Sequence, residues 1–152
     1  MGLTTKNGTE GATPGAMNDR QGARFGAYFP RVFACAHSLT GDEATAREVV
    51  IEAFSRTFAH DADLSDDEFV MVLFDTARDL CRTAQPGSGL NGALSTRERE
   101  LLAFVFDARL SRDVIRRLMR TSEQALASAL LRALRKLRGS MTAEPNASLR
   151  PA

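Results

Sequence analysis

Apolar residues recur three and four positions apart along most of this chain, and no stretch shows the strict alternation of a β-strand. Phe25, Phe29 and Val32 belong to a first helix that is expected to end near Gly41, since glycine suits the left-handed position after a helix. Pro30 falls inside this pattern, so the helix either begins near it or bends there. The spacing therefore predicts an all-α fold.

Sequences that cap helices indicate where the next helices begin. A second helix is expected from Asp42, and a third begins at Ser65, where Ser65 and Glu68 form a capping-box pair. Ser95 and Glu98 repeat this pair at the start of the second half. Each serine hydroxyl is expected to accept a backbone N–H of its helix, while the glutamate reaches back to the N–H of the serine.

The second half also contains a candidate helix-turn-helix. A short helix starts at Ser111 and carries Val114 and Leu118 at helical spacing. The pattern breaks near Thr121, and Ser122 can then cap a last helix. Two helices joined by a turn of about three or four residues are the arrangement found in many DNA-binding proteins.

A glycine-rich stretch divides the helical pattern into two modules. Residues 85–93 contain Pro86 and three glycines, which predicts a flexible linker between residues 23–84 and residues 94–138. Each module is smaller than the about 70–80 residues at which a single core is comfortable. We therefore expect the two modules to pack on each other or on a partner.

The two ends of the chain carry no helical pattern. Residues 1–22 are rich in glycine and small polar residues, which bury too little apolar surface to offset the entropy of ordering. Residues 139–152 contain Pro145 and Pro151, which oppose a helix. We expect a disordered arm and a disordered tail.

Charge is distributed unevenly, although the formal net charge is only +1. Residues 40–82 contain eleven acidic and four basic side chains, a net of −7, whereas residues 109–138 contain nine basic and two acidic side chains, a net of +7. The basic segment suits contact with phosphate, which the acidic segment would repel. The two segments could also attract each other.

The remaining chemistry argues against an enzyme or a membrane protein. Cys35 and Cys81 lie in apolar helical patterns without metal or redox spacing, so we expect buried free thiols in a reducing cytoplasm. His37 and His60 lack other metal ligands nearby, and no nucleophile elbow or phosphate loop is present. No apolar run approaches the roughly 20 residues of a membrane span. We therefore expect no catalytic residue, cofactor, metal or small-molecule substrate.

The order and the amino-acid sequences of several segments resemble those of the extracytoplasmic-function (ECF) sigma factors of bacteria. The first half contributes residues 29–33, 46–56 and 72–80, and the second half contributes residues 94–100 and 132–138. In that family, region 2 binds core RNA polymerase and the −10 promoter element, and region 4 binds the −35 element through a helix-turn-helix. The resemblance implies a region 2-like three-helix module, a region 4-like module, and core RNA polymerase and promoter DNA as partners.

The resemblance also implies two sets of site residues. The polymerase-binding set lies on the signature helix, where two acidic side chains are kept and two positions depart from the family: Glu48, Glu52, Arg47 and Ile51. The DNA-binding set follows the helix-turn-helix: Arg112, Arg116, Arg117, Arg120, Gln124, Ser128, Arg132 and Arg135. Most of the second set are arginines, which suit phosphate better than a base code.

Two departures from the family weaken the expected reading of promoter DNA. The recognition helix has alanine where the family offers Thr, Lys and Arg, at Ala125, Ala127 and Ala129, and alanine cannot donate a hydrogen bond to a base. The loop of residues 60–68 is acidic and is a poor cradle for single-stranded DNA. Promoter reading is therefore expected to be weak or degenerate.

These features leave several functions open. The chain is either a divergent ECF-type regulator that binds polymerase and directs initiation, or a sigma-factor mimic that binds an anti-sigma factor without reading DNA. A third hypothesis is an adaptor that keeps the activity of one module. In simpler interpretations, Glu48 and Glu52 form a solvated acidic face, and the basic helix docks on the acidic half. Leu131 with Ala127 could instead form an apolar patch for a protein partner.

Overall fold

The computed structural model describes residues 18–60, 64–84 and 94–149, with side chains described as far as residue 140. Within these ranges the backbone is helical apart from short connections, so the all-α prediction is confirmed. The predicted linker at residues 85–93 and most of the predicted arm lie outside the described residues. Of the described residues, those up to Pro30 belong to one compact unit and those from Arg31 onward to a second.

The helices follow the predicted order along the chain. They are α1 (Asp19–Thr40), α2 (Glu43–His60), α3 (Asp66–Ala84), α4 (Thr96–Leu102), a π-helical turn (Ala103–Asp107), α5 (Arg112–Met119) and α6 (Glu123–Leu149).

Local capping confirms the predicted starts of α2, α3 and α4. Gly41 ends α1 with a φ of 75°, and the Asp42 carboxylate then accepts the Thr45 N–H at 2.8 Å. The Ser65 hydroxyl accepts the Glu68 N–H at 3.2 Å, and the Glu68 carboxylate accepts the Ser65 N–H at 3.0 Å. The same reciprocal pair is formed at the start of α4 by Ser95.

The first helix begins earlier than predicted. Residues 19–22 were expected to belong to the disordered arm, but α1 starts at Asp19. The reason is a side-chain cap: the Asn18 carbonyl oxygen accepts the Gln21 N–H at 2.8 Å. In the same unit the rings of Phe25 and Phe29 lie 5.2 Å apart, one turn from each other on α1.

Proline does not limit the helices as expected. Pro30 lies inside α1 rather than at its start. The prediction that α6 ends near residue 138 is wrong, because its backbone continues to Leu149 past Pro145. The ring of proline fixes φ near the helical value, so each proline removes a backbone hydrogen bond without forcing the chain out of the helix.

Helices α2 and α3 build the first part of the core. Val50, Phe54, Phe69 and Leu73 are almost completely buried between them. The Phe58 ring lies 5.6 Å from that of Phe54 and 5.7 Å from that of Phe69, which closes an aromatic cluster at one end of this pair of helices.

A second set of contacts joins α3 to the C-terminal half. The buried Phe74 and Phe104 rings meet edge to face at 6.3 Å. Farther along α3, the Arg82 guanidinium donates two hydrogen bonds, of 2.6 and 2.7 Å, to the buried carboxylate of Glu100 on α4. Residues on either side of residues 85–93 therefore contact each other.

The charged groups at this contact are not the ones expected if the acidic segment simply attracted the basic segment. The acidic segment supplies the cation, Arg82, and the anion, Glu100, lies just before the basic segment. Arg31, near the start of the second unit, likewise donates to the carbonyl oxygens of Ala108 at 2.7 Å and Arg109 at 3.0 Å. The net charges of the two segments thus do not describe the groups that meet directly.

The two cysteines behave as predicted from their apolar surroundings. Cys35 and Cys81 are both buried and both free. Burial raises the pKa of Cys35 well above its ordinary value and the pKa of Cys81 to about 12. Both thiols are therefore protonated at neutral pH, which makes them poor nucleophiles.

Among the described residues, none of the helices is both long enough and apolar enough to cross a bilayer.

We predict that the ion pair between Arg82 and Glu100 is asymmetric. The Glu100 side chain is only 2% exposed, whereas that of Arg82 is 47% exposed. Arg82→Met leaves a buried carboxylate without its partner and should lower the free energy of unfolding by about 2–3 kcal/mol. Glu100→Gln leaves an arginine that can turn to water and should cost only about 1 kcal/mol.

Urea denaturation of both variants measures this difference. Arg56→Met is the matched control, because Arg56 pairs with Glu52 on the surface of α2 and should contribute less than about 1 kcal/mol. A larger loss for Glu100→Gln than for Arg82→Met would contradict the asymmetry.

Candidate nucleic-acid interface

The candidate helix-turn-helix corresponds to α5, the three residues 120–122, and α6. The Ser111 hydroxyl accepts the Val114 N–H at 3.2 Å and begins α5. The Ser122 hydroxyl accepts the Ala125 N–H at 3.1 Å and begins α6, as predicted. Two serine caps thus fix where both helices start.

The turn depends on one residue with a left-handed backbone. Arg120 has φ 54° and ψ 55° and ends α5, although it is not glycine. The N–H of Thr121 donates to the Arg116 carbonyl at 3.0 Å, which closes the turn. This backbone conformation costs a residue with a Cβ about 1–2 kcal/mol, so other contacts must hold it.

Two arginines from other helices bind the end of α5. Arg78 on α3 donates to the carbonyl oxygen of Leu118 at 3.0 Å. Arg97 on α4 donates to the carbonyl oxygen of Met119, the last residue of α5. These carbonyls have no partner within the helix and carry its negative dipole end, so the two cations stabilise the turn.

The arginines of the DNA-binding set differ in whether they pair with an acidic side chain. Arg112, Arg120 and Arg135 are exposed and have no acidic partner among the residues that the structure describes. Arg116 and Arg117 share Asp113, at 2.6 and 3.6 Å. Because Asp113 already pairs with these two cations, phosphate would have to compete with it for them.

An open cleft of about 500 Å³ lies where α5 and α6 begin. Arg112 and Arg116 line it from α5, and Ser122 and Glu123 line it from the start of α6. Asp113 contributes a carboxylate to the same cleft. Two guanidinium groups therefore share the cleft with two carboxylates, so its local charge is mixed.

The outward face of α6 joins polar and apolar side chains. Gln124, Ser128, Leu131 and Arg135 are spaced four, three and four residues apart, so they lie along one side of the helix. All four are exposed, and Leu131 is 54% exposed. The structure therefore brings three members of the DNA-binding set together around one apolar side chain.

Two of the three alanines at the family's base-reading positions do not lie on the outward face of α6. Ala125 and Ala129 line a cleft of about 260 Å³ between α4 and α6, together with Arg132. Ala127 is half-buried on the opposite flank of α6. The predicted apolar stripe of α6 is buried at Leu126 and Ala133, so part of this helix serves the core as expected.

Arg132 belongs to an ion-pair cluster and not to the outward face of α6. Its Nε lies 3.7 Å from a carboxylate oxygen of Glu98, and the Lys136 ammonium lies 3.0 Å from the other oxygen. The Ser95 N–H, followed by Lys136, holds the pKa of Glu98 below its ordinary value. Arg132 is thus engaged in joining α6 to α4.

The four predicted polymerase-binding residues lie together on the exposed face of α2. Arg47 pairs with Glu43 at 2.9 Å, and Glu52 pairs with Arg56 at 2.8 Å. Glu48 is exposed between them, and Ile51 is 53% exposed. The face therefore combines one large apolar side chain with a charged surround.

The acidic loop predicted at residues 60–68 is described only in part. His60 is the last residue of α2, while residues 61–63 of the acidic loop lie outside those ranges. Within the described part of the chain, no group of three His, Cys, Asp or Glu side chains could hold a metal ion.

The arginines that join the two halves were not predicted. Phe74, Arg78 and Arg82 follow one another at four-residue spacing, so they lie on one side of α3. Their contacts reach 18 to 40 positions along the chain, so no local pattern reveals them. The available signal was the presence of basic side chains on an otherwise apolar side of a helix from an acidic segment.

Comparison of this chain with known protein families, with curated proteins and with solved structures found no match.

We predict that Glu98 makes the protein more sensitive to acid. Because the pKa of Glu98 is lowered in the folded state, its stabilising effect is present above the unfolded pKa of about 4.3 and is lost as the pH falls through the lowered value. Glu98→Gln should therefore lose less stability than the wild type between about pH 5 and pH 3. At pH 7 this variant should be less stable by about 1 kcal/mol.

Urea midpoints measured across this pH range test the assignment. Glu52→Gln is the control, because Glu52 forms only an exposed pair on α2. Parallel pH profiles for the wild type and Glu98→Gln would show that Glu98 does not contribute to acid sensitivity.

Proposed function

We propose that this protein is an ECF-sigma-factor-like transcription regulator that binds core RNA polymerase and directs transcription initiation. The observation that carries the proposal is the serine-capped pair α5–α6, on which Arg112, Arg120 and Arg135 are exposed without acidic partners among the described residues. The action is non-covalent: the protein positions polymerase at a promoter and contributes contacts to DNA.

Contact with the DNA backbone is supported by the unpaired arginines. A guanidinium group without an acidic partner can replace condensed counterions at a phosphate, and the release of those ions favours binding. Arg112 stands at the start of α5, Arg120 in the turn and Arg135 on α6. Cations in these three places suit successive phosphates along a groove better than a single base pair.

Recognition of base sequence is limited to fewer groups. Gln124 and Ser128 are exposed on the outward face of α6, where a glutamine amide can pair with adenine and a serine hydroxyl with several bases. Ala125 and Ala129 line the cleft toward α4 and present no hydrogen-bonding group. This arrangement supports binding dominated by phosphate, with weak or degenerate reading of promoter sequence.

Binding of polymerase is assigned to the exposed face of α2. Ile51 is half-exposed among Arg47, Glu48 and Glu52, and an aliphatic side chain in a charged surround is a common arrangement at protein interfaces. The two ion pairs within α2 hold Arg47 and Glu52 beside Ile51. The resemblance of residues 46–56 to the polymerase-binding helix of ECF factors supports the same face.

We predict that each unpaired arginine contributes one phosphate contact. Arg112→Ala, Arg120→Ala and Arg135→Ala should each weaken binding to all duplexes alike and reduce the slope of log affinity against log salt by about 1. Fluorescence anisotropy with labelled duplexes at about 50 to 200 mM salt measures both quantities. Arg56→Ala is the control, since Arg56 lies on α2 and should leave affinity and slope unchanged.

Asp113→Asn provides the opposite change in the same helix. It frees Arg116 and Arg117 from their shared carboxylate, so it should strengthen DNA binding and steepen the salt dependence. If all three alanine variants and Asp113→Asn bind like the wild type, DNA contact does not occur through α5–α6.

We predict that Ile51→Glu weakens binding to core RNA polymerase at least about tenfold, as expected for an apolar side chain central to an interface. Leu131→Glu is a matched control, because the two aliphatic side chains are 53% and 54% exposed and receive the same charge. The effect is measured by co-purification with core polymerase and by the affinity of each variant for immobilised polymerase. Equal binding of both variants and the wild type would remove α2 from the interface.

A sigma-factor mimic is the second candidate function, and Leu131 favours it. A half-exposed leucine at the centre of the outward face of α6 suits an apolar protein surface better than a base edge. On this hypothesis a purified anti-sigma factor binds the wild type and fails to bind Leu131→Glu, while Arg112→Ala binds normally. Promoter-dependent transcription by the wild type with core enzyme would decide for the regulator instead.

A further inference from the structure

We infer that Arg78, on α3, is a positioning residue for the turn between α5 and α6. The contact that suggests this role is its hydrogen bond of 3.0 Å to the Leu118 carbonyl, one residue before the end of α5. Arg78 thereby connects the acidic half of the chain to the geometry of the candidate nucleic-acid interface, without itself lying on that interface.

The side chain of Arg78 is held in place from several directions. It is 11% exposed, it pairs with Asp75 one turn earlier on α3, and its guanidinium carbon lies 6.0 Å from the centre of the Phe104 ring. Its Nε is buried and has no hydrogen-bond partner within the part of the chain that the structure describes. Because the Arg78 side chain is held in this way, the position of its donor groups is fixed. The hydrogen bond therefore fixes the position of the Leu118 carbonyl.

The carbonyl of Leu118 can reach Arg78 because the chain turns at Arg120. The left-handed conformation of Arg120 ends α5 and leaves the carbonyls of Leu118 and Met119 without partners inside the helix. Arg78 and Arg97 bind one carbonyl each. The conformational strain at Arg120 is therefore balanced by donors on α3 and α4, and α3 is the more distant of the two in sequence.

This arrangement predicts a local effect of Arg78→Gln. The glutamine is too short to reach the carbonyl from the same backbone position, so the end of α5 should open more often. Hydrogen exchange of the Arg120 and Thr121 amides, both bonded to carbonyls of α5, should accelerate at least about tenfold, as the loss of a charge-assisted hydrogen bond implies. Exchange at Val50, in the core of α2, should stay within about threefold of the wild type.

A second substitution separates positioning from general destabilisation. Arg120→Gly removes the cost of the left-handed backbone, so the double variant Arg78→Gln, Arg120→Gly should return exchange at Thr121 to within about threefold of the wild type. Arg56→Met is the control, because it breaks an exposed ion pair on α2 and no contact to α5. It should leave exchange at Thr121 near the value of the wild type.

Three results would overturn the inference. These are unchanged exchange at Thr121 in Arg78→Gln, an equal acceleration at Val50, or a failure of Arg120→Gly to reverse the change. All three are measured on the full chain without DNA, so they do not depend on the proposed function.

The consequence for DNA rests on the proposed function and has its own readout. Arg78→Gln should weaken duplex binding severalfold without changing the salt slope, because Arg78 does not contact phosphate. Arg112→Ala, by contrast, should reduce that slope by about 1. If the wild type binds no DNA, the proposed function fails while the exchange result still decides the role of Arg78.

Discussion

The buried carboxylate of Glu100 is the constraint on which the contact between the two halves depends. Its partner, Arg82, comes from the last part of α3 and reaches it from the other side of residues 85–93. A carboxylate that is 2% exposed is costly to leave unpaired, so α4 and the end of α3 must stay together in the folded protein. The rings of Phe74 and Phe104 pack in the same contact and add an apolar component that salt does not screen.

Basic side chains of the N-terminal half bind backbone carbonyl oxygens at helix ends of the C-terminal half. Arg31 binds the end of the π-helical turn, and Arg78 binds the end of α5. Helix C-termini carry partial negative charge whatever the side chains around them, so a segment with a net charge of +7 still offers sites to arginine. Net charge therefore gives the sign of the long-range field, and it does not identify the groups that meet at short range.

Local signals were sufficient for the starts of the helices after α1 and for the turn. Ser65, Ser95 and Ser122 each cap the helix predicted from them, because a cap is formed within four residues of chain. Arg78 and Arg82 were not predicted as contact residues, since their partners follow 40 and 18 positions later, respectively. The resemblance to ECF sigma factors placed Arg132 in the DNA-binding set, although its position beside Glu98 depends on how α4 packs against α6.

The outward face of α6 brings the two candidate functions onto one surface. Gln124, Ser128 and Arg135 suit DNA, and Leu131 in their midst suits a protein. A ligand that covers Leu131 also covers the neighbouring side chains, because residues three and four apart on a helix lie within about 6 Å of one another. DNA and a protein partner would therefore exclude each other on α6. The two functions then differ in which ligand binds this face more tightly, while α2 remains available to polymerase in either case.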